Sequence, residues 1–208
     1  MIRNLIKITL RSIRKTFGFS LINILGLAIG IACSVLIIVF VRYEFSYDKF
    51  NEKADRIYRI CQKGLVGNTQ LEVANTPAPL YAVLLKEYPE IESATRLASM
   101  NHQRIIVDDR VFIQKHAMMA DSTLYEVLTI TFIKGSPKHA LDKPNTVVLS
   151  ESTALSYFGD TNPIGRTLKL KNHWEEVNLE VTAVIKDMPD NSHFHSDFIV
   201  SALSFKEW

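Results

Sequence analysis

Cysteine is scarce in this sequence, with only two residues in a chain of 208. Cys33 lies inside the longest apolar stretch of the chain, and Cys61 lies well outside it. Residues placed in this way are not expected to pair with each other, so the sequence implies no disulfide framework. It leaves the redox compartment of the protein open.

Signatures of catalysis are also lacking. The sequence has no glycine-rich loop followed by Lys-Ser or Lys-Thr, so ATP hydrolysis must belong to another subunit. No histidine lies in a recognisable nucleophile setting. Ser150 is instead placed to cap a helix. We therefore predict that the chain is not an enzyme, with no catalytic, cofactor-binding or metal-binding residues.

Two polar stretches have some features of metal sites. His193 and His195 would share one face of a strand, but no cysteine or acidic cluster completes a tetrahedral shell around them. The stretch 187–192 is rich in oxygen ligands, but it lacks the glycine and the terminal glutamate of an EF-hand calcium loop. The sequence favours structural or solvent-facing histidines for the first stretch and a turn for the second.

Acidic residues are absent from the first 41 positions, which carry five cations: Arg3, Lys7, Arg11, Arg14 and Lys15. Removing these five from the 24 Lys and Arg of the chain leaves 19 against 22 Asp and Glu, so residues 42–208 have a net charge of about −3. A nucleic-acid-binding protein would show a basic face on its folded domain. The asymmetry predicts a membrane anchor and no nucleic-acid partner.

Charged side chains are missing between Lys15 and Arg42. A helix needs roughly 20 apolar residues to cross the hydrocarbon core of a bilayer. The run is too long for a cleaved signal peptide, and it leads directly into Arg42 without a small-x-small cleavage site. We predict a retained transmembrane helix over 17–42. The positive-inside rule places the N-terminus in the cytoplasm and the residues from about 43 onward outside.

Residues 1–16 are predicted to form an amphipathic helix on the cytoplasmic side of the membrane. At 100° per residue, the cations fall on one side. The opposite side carries Ile2, Leu5, Ile6, Leu10 and Ile13. Such a helix can lie in the lipid interface. The alternative is a basic flank that only fixes the topology.

Gly26, Gly30 and Ser34 recur every four residues within the predicted span. Small residues on one face of a membrane helix allow another helix to approach closely. This spacing predicts a helix-packing face and partner helices from outside this stretch. The alternative is that glycine is simply common in transmembrane helices.

The remaining residues predict a mixed α+β extracytoplasmic domain over 57–208, joined to the membrane helix by a connector over 43–60. Predicted helices cover 77–88, a short stretch after the N-cap Asp121 to about Leu128, and 151–158, which is capped by Ser150 and ended by Gly159. Predicted strands begin at 54–60 and cover 91–99, 104–107, 111–115, 146–149, 166–171, 179–186 and 197–202. Turns are predicted at 108–109 and 162–165.

Several motifs in this order resemble ABC-transporter permeases of the MacB/FtsX type. The resemblance covers nearly the whole chain, and each motif alone is weak. The matching stretches are 46–50, 54–59, 119–121, 144–151, 157–160, 162–168, 181–189 and 191–194. One departure lies at 122–125, where this sequence keeps a single aromatic residue and the family usually has more.

The resemblance implies the permease component of an ABC system, with a MacB-like periplasmic core domain in a bacterial inner membrane. It implies that ATP is bound by a separate cytoplasmic ATPase, and that other permease helices or a second permease copy complete the assembly. Family members continue into further transmembrane helices, so we expect the sequence to be an N-terminal part of a longer permease. The substrate stays open.

The resemblance also indicates two groups of functional residues. The connector between helix and domain is expected to use Tyr47, Asp48, Phe50, Asp55, Arg56, Tyr58 and Arg59. A family structural motif is expected at Phe158, Gly159, Pro163 and Gly165. The rival interpretation is a single-span sensor or binding module, although its cytoplasmic part would be only about 15–20 residues, too short for an output domain. A membrane-anchored hydrolase is disfavoured because no nucleophile–base pair is found.

Overall fold

The structure is a computed structural model that describes residues 2–67, 69–100, 102–171 and 176–205. The chain divides into two compact units, and the second unit begins at Asp48.

The first unit consists of helices α1 (Ile2–Lys15) and α2 (Phe17–Glu44). At 1.5 Å per residue, the 28 residues of α2 extend roughly 42 Å, which exceeds the hydrocarbon core of a bilayer. By length and composition α2 can therefore cross a membrane, and none of its residues is buried. The predicted apolar face of α1 falls on side chains outside the described part of the structure, so its two-faced character stays a prediction.

The second unit confirms the predicted α+β class. Its helices are α3 (Leu80–Glu87), α4 (Leu124–Val127) and α5 (Glu151–Phe158). Its strands are β1 (Gln62–Val66), β2 (Thr69–Val73), β3 (Leu97–Ser99), β4 (Gln103–Val107), β5 (Arg110–Gln114), β6 (Ala117–Ala120), β7 (Phe132–Lys134), β8 (Thr146–Ser150), β9 (Thr167–Lys171), β10 (Glu176–Ile185) and β11 (Phe198–Ser201).

Nine of these strands form one mixed sheet in the order β3-β6-β11-β8-β10-β9-β4-β5, with β7 paired to β10. The pairs β8–β10 and β6–β11 are parallel, and the other pairs are antiparallel. Strands β1 and β2 form a separate hairpin in which every residue of β2 is exposed.

The core lies on both faces of the large sheet. Strand β8 is buried along its length, with Val147 and Leu149 in a cluster that includes α5, and Val148 in a second cluster with α4. Strand β10 is irregular between Val181 and Ala183 where it pairs with β8, and these two residues lie in different clusters. Successive side chains of a strand point to opposite faces of the sheet, so neighbouring residues of β8 lie in different clusters. Both faces of β8 are apolar because both are buried.

Several local predictions are confirmed. Helix α5 has the predicted bounds, the Ser150 hydroxyl accepts a hydrogen bond from the Thr153 N–H, and Gly159 follows the helix with a φ of 59°. Helix α3 lies within the predicted range, and the turn at 108–109 joins β4 to β5. The predicted pair over 166–171 and 179–186 corresponds to β9 and β10.

Other predictions are wrong. Residues 54–60 do not start a strand, because Ala54–Arg56 forms a 3₁₀ turn and the first strand begins at Gln62. Of the strand predicted over 91–99, only Leu97–Ser99 pairs in the sheet. Asp121 does not cap α4 with its side chain, because both of its carboxylate oxygens accept hydrogen bonds from Arg96. The predictions also missed the β1–β2 hairpin, β6 and β7.

Candidate functional site

The chain leaves α2 at Glu44, and from Asp48 onward it lies on the sheet domain. Asp48 makes three contacts with the loop that precedes β11. Its N–H donates to the Asn191 carbonyl oxygen at 2.9 Å, and its Oδ1 accepts from the His193 N–H at 3.0 Å. Its Oδ2 lies 2.6 Å from His193 Nδ1. One residue of the connector, Asp48, therefore binds a loop 145 positions further along the chain.

Asn51 forms the second contact and is itself buried, with 6% of its surface exposed. Its side-chain Nδ2 donates to the Asp48 carbonyl oxygen, and its Oδ1 accepts from the Thr129 N–H, both at 2.9 Å. The Glu52 N–H donates to the Thr129 hydroxyl at 2.9 Å. A buried amide with both ends hydrogen-bonded fixes the backbone on either side of it.

Charged side chains make a third contact. Lys53 Nζ donates to the Glu126 carbonyl oxygen at 3.1 Å and lies 3.7 Å from a Glu92 carboxylate oxygen. Arg56 Nη1 lies 3.2 Å from the other Glu92 oxygen. These side chains are largely exposed, and exposed ion pairs contribute little to stability. The buried Asn51 therefore contributes more to docking than the charged pairs do. We call residues 48–56 the docked segment.

A cleft of about 260 Å³ lies beside the docked segment. Its walls come from three parts of the second unit, namely the docked segment, the loop after α4 and the loop after β10. Most of the lining is apolar, with Phe50, Leu128, Ile130, Met188, Pro189 and Phe194. Phe50 is 38% exposed.

The residues predicted for the connector differ in their surroundings. Asp48, Phe50 and Arg56 belong to the docked segment and its cleft, as described above. Tyr58 is 80% exposed, and its hydroxyl only approaches the Asp55 carbonyl oxygen at 3.5 Å. Arg59 is exposed. The Tyr47 ring makes an edge-on contact with the Tyr43 ring, with centroids 5.5 Å apart. The sequence missed Asn51 and Lys53, although an asparagine in a turn-rich stretch is a common signal for local hydrogen bonding.

The predicted family motif forms the crossing from α5 to β9. Gly159 and Gly165 both have positive φ, at 59° and 78°, which favours glycine at both positions. Pro163 is buried, and the Gly165 N–H donates to the Val181 carbonyl oxygen at 2.8 Å. Phe158 is buried in the core beneath the Arg166 guanidinium, which lies 5.1 Å from its ring centroid. The motif therefore holds α5 against the strand pair β9–β10.

The predicted helix-packing residues lie on α2. A Cβ atom added at Gly26 or Gly30 would meet nothing within 4 Å, so the described part of the chain offers no partner for this face. The Ser34 hydroxyl donates to the Gly30 carbonyl oxygen at 2.8 Å, which satisfies it within the helix. The packing face stays a prediction.

The two histidines considered as ligands have other partners. His193 contacts Asp48, and His195 Nδ1 lies 3.0 Å from the Ser192 carbonyl oxygen. Within the described residues, no group of three or more His, Cys, Asp or Glu side chains could hold a metal ion. The oxygen-rich stretch contributes Asp187, whose Oδ1 accepts from the Ser152 N–H at the start of α5.

Arg96, just before β3, and Asp197, just before β11, have shifted pKa values. The hydrogen bond from Arg96 to Asp121 raises the pKa of the guanidinium, against an opposing effect of burial. Burial raises the pKa of the Asp197 carboxyl, and the nearby Asp187 adds to the increase while His116 opposes it. The Arg96–Asp121 pair is bidentate and partly buried, a geometry that holds β3 close to the start of α4.

An apolar helix that can cross a membrane, followed by a mixed α+β domain, is the arrangement of a membrane-anchored chain. The sequence profile of the MacB-like periplasmic core domain matches residues 20–207, and the chain belongs to this family. A search of the curated proteins finds no match.

The chain is similar in structure to several solved domains. A domain of a permease-type protein from Porphyromonas gingivalis is 21% identical, with a TM-score of 0.57, over 66% of this chain and 60% of that one. The periplasmic region of MacB from Actinobacillus actinomycetemcomitans is 18% identical, with a TM-score of 0.45, over 60% and 55%. The extracellular domain of the noncanonic ABC-type transporter YknZ from Gram-positive bacteria is 16% identical, with a TM-score of 0.38, over 52% of each chain. The chain thus spans between half and two thirds of the length of these structures.

Proposed function

We propose that the chain is part of the membrane component of an ABC transporter of the MacB/FtsX type, with its N-terminus in the cytoplasm of a bacterial cell. A separate cytoplasmic ATPase binds and hydrolyses ATP, and the chain passes the resulting movement to its extracytoplasmic domain. The family membership and the helix α2 support this proposal. Such a component would serve either to export a substrate or to transmit a mechanical signal across the membrane.

The observation that carries the mechanical part is the docked segment. Asp48 follows α2 by four residues, and the contacts of Asp48 and Asn51 join the segment to loops on both sides of the cleft. A hinge with few contacts would absorb a displacement of the helix end. A segment with a buried, doubly bonded asparagine resists local opening, because opening exposes unpaired polar groups. We therefore assign the transmission of movement to residues 48–56.

The test is a pull-down of the tagged chain from native membranes, in the context of its full-length parent. An ABC ATPase should be recovered and identified by mass spectrometry. Recovery of a histidine kinase with no ATPase would contradict the permease function and favour a single-span sensor, for which the apolar cleft beside Phe50 would be the ligand site.

A variant separates transmission from assembly. Asn51→Ala should retain the ATPase in the pull-down but lose the ATP-dependent change in hydrogen exchange of the sheet domain. Arg59→Ala is the matched control, because Arg59 is exposed and shows no hydrogen bond or ion pair within the described residues. An ATP-dependent change of equal size in the Asn51 variant and the parent would exclude the docked segment as the transmitting element.

A further inference from the structure

Strand β5 is the last strand of the large sheet, with β4 on one side and no described strand on the other. Asp108 and Asp109, both with positive φ, form a two-residue turn between β4 and β5. In such a hairpin the residues next to the turn, Val107 and Arg110, form a hydrogen-bonded pair. Hydrogen-bonded and non-bonded pairs alternate along antiparallel strands, so the N–H and C=O groups of Val111 and Ile113 point away from β4.

The side chains along this edge are also uncovered. Val111 is 59% exposed and Ile113 is 56% exposed, and both lie on the sheet face opposite Phe112. On the Phe112 face, a groove of about 290 Å³ runs between β5 and α5. An added strand would therefore find backbone groups that no described residue pairs with, an aliphatic surface on one face and space on the other.

We propose that a second copy of this chain docks here, with the two β5 strands antiparallel and the two-fold axis at Phe112. This register places Val111 opposite the partner's Ile113, and their outward backbone groups face each other. It also brings Asp109, in the turn before β5, beside the partner's Lys115, which follows the last residue of β5, so the two-fold axis allows two ion pairs between the copies. Within the described residues neither Asp109 nor Lys115 forms an ion pair in its own chain.

Charge selects this register among the possible ones. Centring the axis on Val111 would place Lys115 opposite the partner's Val107. Centring it on Ile113 would place Lys115 opposite the partner's Val111. Neither of these registers pairs Lys115 with an acidic residue. Shifting the pairing of the two β5 strands by one residue would place a residue whose backbone groups point outward opposite one whose groups point toward β4. Such a pairing forms no continuous hydrogen-bond ladder between the two copies. Opposite charges directly across a strand pair are favourable and like charges are unfavourable. The proposed docking through β5 stands whether or not the chain takes part in transport.

The test is cross-linking of the full chain in membranes, with Cys33→Ser and Cys61→Ser as background. Val111→Cys places the two thiols on diagonal positions about 7–8 Å apart, within reach of a short bismaleimide. Leu203→Cys is the control for random collision, because Leu203 is 60% exposed and follows β11 on the other side of the sheet centre. We expect a cross-linked dimer from the first variant and none from the second.

Charge reversal then tests the register. Lys115→Asp or Asp109→Lys should each reduce the cross-linked fraction at least about fivefold, because two attractions become two repulsions. Mixing the two single variants should restore it, because each reversed position then faces an opposite charge in the other copy. Equal melting temperatures check that the variants fold. Absence of cross-linking at position 111, or cross-linking that charge reversal leaves unchanged, would overturn the proposal.

Discussion

Gly135 lies at a position where the backbone leaves no room for a side chain. Its φ is 85°, and a Cβ atom there would lie 2.5 Å from the Thr182 carbonyl oxygen and 2.8 Å from the Ala183 Cβ. The residue follows β7, and it brings that strand close to the irregular part of β10. At the residue scale, this close approach ties β7 to the centre of the sheet.

Gly135→Ala is expected to lower the free energy of unfolding by about 2–4 kcal/mol, from backbone strain and overpacking together. Thermal or denaturant unfolding measures the change. Gly165→Ala is the control for strain alone, because Gly165 has a φ of 78° and nothing within 4 Å of its added Cβ. Equal losses in the two variants would show that the contact with Thr182 has no effect.

Asp197 gives a prediction for pH. Burial raises the pKa of its carboxyl, so this group stabilises the folded chain below the pKa of the unfolded state, about 3.9. That contribution is lost as the pH rises through the folded pKa. Asp197→Asn should therefore raise the melting temperature at pH 7, and the difference from the parent should shrink at pH 3.5. Asp160→Asn, at an exposed position, should show no such pattern.

At the scale of elements, the start of α5 shows how a local signal and a distant contact combine. The Ser150 hydroxyl accepts from the Thr153 N–H at 3.3 Å, as the sequence predicts. The Ser152 N–H donates instead to Asp187, which reaches the helix because β10 runs parallel to β8 and ends beside it. Two of the four N–H groups that a helix leaves unpaired at its start are thus satisfied from two parts of the chain.

Asp187→Ala and Ser150→Ala should each reduce stability by about 1 kcal/mol, the usual effect of losing a helix cap. Urea unfolding of both single variants and of the double variant measures the effects and their coupling. Asp160→Ala serves as the control for removing an exposed carboxylate. A stability of the Asp187 variant equal to that of the parent would rule out its role at the helix start.

The small-residue face of α2 gives a prediction about assembly. Gly30→Leu in the full-length parent should weaken association with partner helices, because a bulky side chain prevents the close approach that Gly26, Gly30 and Ser34 allow. Recovery of the assembled complex in a pull-down measures this. Ala32→Leu adds similar bulk on another face and should have little effect. Unchanged recovery of the Gly30 variant would count against the packing face.

At the scale of the whole molecule, the orientation in the membrane can be read from one native cysteine. Cys61 is exposed, and it follows the docked segment in the second unit. In spheroplasts, a membrane-impermeant maleimide should label the Cys33→Ser variant at Cys61, because the positive flank of α2 keeps the N-terminus inside. The Cys33→Ser/Cys61→Ser variant gives the background. Labelling only after the membrane is broken would reverse the predicted orientation.

Predictions that depend on neighbouring residues were accurate, and predictions that depend on contacts between distant residues were not. Helix α5 was predicted to the residue, because Ser150, its apolar positions and Gly159 are all local signals. The prediction of a strand over 54–60 was wrong. Asp48 and Asn51 form hydrogen bonds to distant loops, and these hold the residues before 54 in turns. Asp121 was assigned to a cap, but the better partner is Arg96, 25 positions earlier.

The sequence by itself determined the apolar helix α2, the charge asymmetry beside it, the α+β class and the family. These depend on composition and on patterns within a few residues, where one side chain directly constrains the next. Only the tertiary structure decided that His193 pairs with Asp48, that Gly135 must lack a side chain, and that β5 pairs with β4 alone among the described strands. Each of these depends on which distant segments become neighbours, and that choice is made by burial of both faces of the sheet at once.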